Sequence, residues 1–290
     1  MATVHYQHLS PSPDTTEIER VLPALHQVMI AAGWTLEYAD ADAIGTGTAE
    51  DPAWDKEPAT NTDAGIVVYR MPEQGAFTRW YARIRPGWAG GVLRSTIRGI
   101  TIGDEHDGDG NVSGMGGEHV PSVGAVTTNN RNAYVNASED GFFVGWILGG
   151  TTDVVCWVER LRLLDQSVQD ALQLQIRFSG HIARLFSHER GVEATGSPLL
   201  LVPFSFSTTL VAASGPAYDN PYSDSWLFMG PYTSMGNPLG GLPRLFRMTP
   251  TAHTNLGEVF NAYVDGGLKQ YQAVHVAFST TVGHLTLATE

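Results

Sequence analysis

Between Gly65 and Trp88 the chain reads GIVVYRMPEQGAFTRWYARIRPGW, two runs separated by a Pro-Glu-Gln-Gly turn. In the second run Trp80, Ala82 and Ile84 alternate with Arg79, Tyr81, Arg83 and Arg85. A strand turns successive side chains to opposite faces. This run therefore predicts a sheet with one buried face and one cationic, aromatic face. The chain must then build an antiparallel sheet and cover one side of it. Gly 32 and Pro 16 demand many turns, which favours short strands over long helices. The expected fold class is mainly β (α+β), with antiparallel, sandwich-like sheets, long loops and one N-terminal amphipathic helix.

That helix is expected from Asp14 to Ala32. Thr16 and Glu19 stand at capping-box spacing. Ile18, Val21, Leu22, Leu25, Val28, Met29 and Ala32 form one apolar stripe, and Gly33 is a natural stop. Pro23 either kinks this helix or moves its start to Leu22. Strands are expected at 34–39, 93–102, 123–135, 141–148, 153–164, 199–207, 256–264, 271–279 and 282–288. Residues 164–176 fit a helix as well as a strand–turn–strand, and the second is favoured. Two long irregular stretches are expected, 40–64 and 214–250. The chain divides into a helix-plus-β part over 1–190 and a β-rich part over 191–290, with 190–198 as the boundary, or it is continuous over 1–290.

The formal net charge is −13, with only Lys56 and Lys269 against fifteen arginines. Phosphate backbones need a basic field, so direct nucleic-acid binding is not expected. Only 16% of residues are charged, which fits either a polar uncharged surface or one hidden by oligomerisation. Glu37 to Asp63 holds eight acids against Lys56, net −7. Arg70 to Arg98 holds six arginines against Glu73, net +5. The two segments either pair within one chain or join neighbouring copies. The opening MATVHYQHLSPSP has no basic stretch followed by an apolar core, and no apolar run approaches membrane length. Neither a secretory leader nor membrane insertion is expected. Cys156, the single cysteine, sits in an apolar run (VVCWV) and is expected as a small buried hydrophobe.

Catalytic signatures are lacking. There is no Gly-x-Ser-x-Gly elbow, His-Glu-x-x-His pair or Walker loop, and Ser187-His188-Glu189 are only sequence neighbours. No enzyme activity is expected, although a pair of carboxylates able to cleave a glycoside needs no local motif. The one metal candidate is Asp104–Asn111 (DEHDGDGN), where Asp107, Asp109 and Asn111 have the alternate spacing that suits calcium. Position 6 of an EF-hand loop counted from Asp107 is Val112, where that loop needs Gly. His106 and His119 with these acids are an alternative transition-metal set. Otherwise the stretch is a solvated acidic loop, and no cofactor is expected beyond possible calcium.

Several segments resemble virion structural proteins of tailed bacteriophages. They are AAGWTLEYAD, EDPAWDKEP, IVVYRMPEQGAFTRWYARIRPGW, SEDGFFVGW, VVCWVERLRLLDQ and LGEVFNAYVDGGLKQYQAVHVAFSTTVGHLTL. Those proteins often carry an Arg-Asp-x-Asp-Gly turn after the Val-Glu-Arg, whereas this chain has Leu161–Asp165 there. The resemblance implies a non-enzymatic tail, neck or baseplate component, assembled in the host cytoplasm. Its partners would be other virion proteins and further copies of itself, in a ring. The expected interface residues are Arg79, Arg83, Arg85, Trp54, Trp226 and Tyr232. The alternative is a β-sandwich recognition module for a receptor or carbohydrate, with calcium at the acidic loop.

Overall fold

A computed structural model describes residues 4–10, 17–54, 65–75, 79–89, 93–113, 133–146, 154–163, 171–178 and 180–187. It further describes 217–220, 225–228, 232–234, 237–241, 245–248, 259–264, 267–274 and 285–288. The protein is mainly β and its sheets are antiparallel, as the sequence leads one to expect.

The chain opens with strand β1 (His5–Leu9), which the sequence pattern does not announce. Helix α1 (Glu17–Ala31) follows and runs through Pro23. Of its apolar stripe Val21, Leu22, Leu25, Val28 and Met29 are buried and Ala32 is partly buried, with Ala24 buried beside them. The helix ends where Gly33 takes φ +88, a left-handed conformation that costs glycine nothing. The Trp34 amide then donates to the Met29 carbonyl at 3.0 Å and the Gly33 amide to that of Ile30 at 2.9 Å. This is a Schellman cap, with Trp34 and Met29 packed in the core behind it.

Strand β2 (Thr35–Ala39) and the short helix α2 (Ala41–Ile44) come next. Residues 40–54 are therefore less irregular than expected. Strands β3 (Val67–Arg70), β4 (Tyr81–Ala89) and β5 (Leu93–Gly103) complete a four-stranded sheet in the order β2-β3-β4-β5. A two-stranded hairpin, β6 (Glu105–His106) and β7 (Val112–Ser113), leaves the end of β5.

The largest sheet follows. Strands β8 (Ala133–Ser138) and β9 (Gly141–Trp146) form a hairpin around Glu139 and Asp140. The strand expected to end at 135 thus runs on to Ser138, and residues 114–132 lie outside the described ones. Strands β10 (Val154–Leu163), β11 (Ala171–Phe178) and β12 (Gly180–Ser187) extend the sheet in the order β1-β8-β9-β10-β11-β12. The ambiguous 164–176 region resolves as strand from Ala171 onward.

The 214–250 stretch, expected to be irregular, holds five short strands. They are β13 (Ala217–Asn220), β14 (Ser225–Phe228), β15 (Tyr232–Ser234), β16 (Asn237–Gly241) and β17 (Leu245–Met248). Their brevity and Gly/Pro content hide period-two patterning. Strands β18 (Val259–Val264), β19 (Gly267–Val274) and β20 (Leu285–Ala288) close the chain. A six-stranded sheet runs β13-β14-β17-β20-β19-β18, while β16 pairs β10 across the expected domain division. The expected strand 199–207 and the 190–198 boundary lie outside the described residues.

One core joins the first two sheets. Helix α1 packs against β1 and β8 of one and against β2 and β5 of the other. Val67, Tyr69, Ala82, Ile84, Ile100 and Ile102 meet Val135, Ala137, Phe142, Val144, Cys156 and Val158 in this cluster. Each fully buried large side chain here contributes about 1.5–3 kcal/mol. The far face of the large sheet is covered too, since Tyr134, Asn136, Phe143 and Glu159 are at most 5% exposed. Cys156 is the buried hydrophobe expected, and burial pushes its thiol up to about 12. Because the thiolate is the nucleophile, iodoacetamide should leave Cys156 unmodified in the native protein and label it fully after denaturation. Mass spectrometry decides the point, and rapid labelling of the folded chain would place the thiol at the surface.

Candidate functional site

The alternation at 79–85 is realised in the four-stranded sheet. Trp80, Ala82 and Ile84 face the core at no more than 1% exposure, while Tyr81, Arg83 and Arg85 on the other face are half-buried. Ladder register sets the neighbours of that outer face. Tyr38 lies beside Val68, Val68 beside Arg83, and Arg83 beside Thr101. One row along, Arg70 lies beside Tyr81, and Tyr81 beside Gly103.

The face is not open, because Val68 is 0% exposed and Thr101 6%. The chain's own acidic stretch returns over part of it. A side chain at Gly103 would overlap the Ser113 carbonyl oxygen and Val112, so β7 lies directly on the end of β5. A Cβ at Gly110 would sit 2.6 Å from Cε1 of Tyr38. The His106 ring sits edge-on to Tyr38, with centroids 6.3 Å apart, and tilted against Tyr81 at 5.6 Å. The β6–β7 hairpin thus roofs the aromatic end of this face and wedges His106 between two tyrosines.

The tip of the roof is a self-satisfied turn. The Asp107 carboxylate accepts from the backbone amides of Asp109 at 2.8 Å and Asn111 at 3.0 Å. Its other oxygen accepts from the Asn111 side-chain amide at 2.7 Å. The Asn111 side-chain hydrogen bond, followed by these two amides, holds the Asp107 carboxyl below the usual carboxylate range. Asp109 meets Asp107 through its backbone amide, and Asn111 presents its amide nitrogen to Asp107, the polarity of a turn. Among the described residues no group of three or more His, Cys, Asp or Glu is arranged to hold a metal ion. Beneath the roof the Tyr38 hydroxyl donates to Asp40 at 2.6 Å. That bond raises the Tyr38 phenol above its ordinary value, followed by desolvation and the charges of Asp40, Asp109 and Asp107.

Among the described residues, Arg70 and Arg79 close ion pairs within the chain. Arg70 meets Glu37 at 2.5 Å, which joins the acidic and basic segments internally. Arg79 pairs with Glu73 across the β3–β4 loop, where both side chains are more than half exposed. Such exposed pairs add only about 0.2–1 kcal/mol. Trp54, expected at an interface, is instead a core residue at 3% exposure. Trp226 lies on β14 opposite Asp219, and Tyr232 on β15 opposite Gly240. The surroundings of these two side chains lie outside the described structure.

Sequence reasoning thus found the sheet face and missed its cover. The available signals were Gly103 and Gly110, which mark close backbone approach, and Tyr38, whose strand parity matches the arginine face. No helix among the described residues is long and apolar enough to cross a membrane. No protein-family model and no curated protein sequence matches the chain.

Proposed function

We propose that this chain is a non-enzymatic structural subunit of a tailed-phage virion, in the tail, neck or baseplate. It would act by assembling with further copies of itself and with neighbouring virion proteins. The observation that carries the reading is where the resembling segments fall. AAGWTLEYAD supplies Trp34, EDPAWDKEP supplies Trp54, and the β3–β4 segment supplies Tyr69 and Trp80. SEDGFFVGW supplies Phe142, and VVCWVERLRLLDQ supplies Val158. All six are buried in the core. A likeness that runs through framework residues suits a protein whose shape and surfaces are its function. The low charge content of 16% suits a surface that is removed from water on assembly.

The exposed tip of the β3–β4 hairpin is the contact element this reading favours, because Arg83 and Arg85 lie on the half-covered face. Arg79→Glu places two acids side by side at the tip while touching no core residue. The folded subunit should lose no more than about 2–4 °C of melting temperature, and the concentration needed for assembly should rise by roughly tenfold. Sedimentation velocity reads both the wild-type oligomer and this shift. Unchanged assembly of the variant would remove the tip from the interface. A wild-type monomer that gains thermal stability from calcium or a sugar would favour the recognition-module reading instead.

A further inference from the structure

The strongest unexplained cluster lies beneath α1, away from the roofed face. His26 is half-buried there, its ring 5.6 Å from that of Trp54 and 6.0 Å from that of Tyr69. With the imidazole neutral and its proton on Nε2, the Tyr69 hydroxyl donates to Nδ1 at 3.1 Å. Tyr69 is 1% exposed, and His26 is the hydroxyl's hydrogen-bond partner among the described residues. Trp54 is itself held under tension. It is the only non-glycine residue with positive φ among the described residues, at +55, and its amide donates to the Ile44 carbonyl at 2.7 Å. Ala43, Ile44 and Trp54 are the buried residues that seat the segment after β2 on the core.

We propose that His26 is an acid-sensitive latch: while neutral it holds Trp54 and the acidic segment 45–54 against the core, and its protonation releases them. The chemistry follows from the donor count. A protonated ring presents N–H at both nitrogens, so Nδ1 turns from acceptor to donor against the Tyr69 hydroxyl. The buried hydroxyl proton then loses its acceptor, and a charge appears in a partly dry site. The two rings lean at 55° and 48° to the imidazole.

Among the described residues no facing charge compensates. From β3 the facing titratable group is Tyr69, whose phenol is raised by burial and stays protonated. From the loop it is the uncharged Trp54. On α1 the described neighbour Gln27 is neutral and bonds Gln7 of β1 at 2.9 Å. Asp42, Glu50 and Asp51 are exposed to solvent. Burial lowers the His26 pKa below its ordinary value. A depressed histidine pKa leaves stability untouched above the ordinary value of about 6.5. It removes stability as pH falls below that value, where the open state takes a proton and the closed state does not.

Hydrogen exchange from about pH 7.5 to about pH 5 tests the latch, with rates corrected to protection factors. Wild-type amides in 45–54 should lose protection by up to roughly tenfold per pH unit below the open-state pKa, while β8 and β9 hold theirs. His26→Gln keeps an acceptor for Tyr69 and cannot charge, so its 45–54 protection should be flat. Constant or rising wild-type protection at low pH would overturn the proposal, as would an equal fall in the variant. If His26→Gln does not fold, an NMR titration of the wild-type His26 ring decides. Loss of 45–54 protection must begin near the open-state value of about 6.5 and level off at that ring's lower midpoint, and a ring midpoint at or above about 6.5 refutes the latch.

Discussion

Trp34→Ala should destabilise the protein by about 3–5 kcal/mol, the largest single loss expected outside the roofed face. Two separate interactions end on this indole, while the backbone amide that closes the Schellman cap of α1 is kept in the variant. The ring stands edge-on to Phe142 with centroids 5.6 Å apart. Its Nε1 donates to the Ser138 carbonyl at 2.9 Å, which ties the helix end to the β8–β9 hairpin of the other sheet. Trp34→Phe keeps the ring contact and loses only the hydrogen bond, leaving a buried carbonyl unpaired at a cost of about 1–3 kcal/mol. Chemical denaturation of both variants checks the order. Equal, small effects would mean that the two sheets are not coupled through this residue.

Gly103→Val should detach the acidic hairpin from the sheet while leaving the main core folded. The added side chain has no space, because the Ser113 carbonyl and Val112 occupy its position. Overpacking against backbone costs about 1–3 kcal/mol or more, and the two-residue strands β6 and β7 have little else to hold them. Gly108→Val is the control. At Gly108 a Cβ meets nothing within 4 Å, so only its φ of +88 is strained. Exchange protection at 105–113 should collapse in the first variant and fall modestly in the second. Protection retained in Gly103→Val would show that β7 does not rest on β5.

The contrast between these two sites shows what the sequence made legible. The β3–β4 alternation and the α1 stripe are local patterns, and local patterns survive as written: Trp80, Ala82 and Ile84 are inside, and Gly33 ends the helix. The roof is not local. His106 meets Tyr38 and Tyr81 only because β5 turns back at Gly103, and no periodicity in DEHDGDGN carries that information. The same residues offered a calcium loop on spacing alone, whereas their hydrogen bonds close a turn. Trp54 misled for a related reason. An aromatic in a polar, acidic stretch looks like a surface anchor until α1 places His26 against it. Charge was partly legible, since Arg70 does meet the acidic segment at Glu37. The short strands between 217 and 248 lay below the length at which alternation can be recognised.

Self-assembly is the work proposed for this chain. Negative-stain imaging of the purified protein over a wide concentration range tests that most directly. The predicted result is a single class of closed rings with one rotational symmetry, growing in number with concentration and reduced in Arg79→Glu. A monodisperse monomer at every concentration would contradict self-assembly.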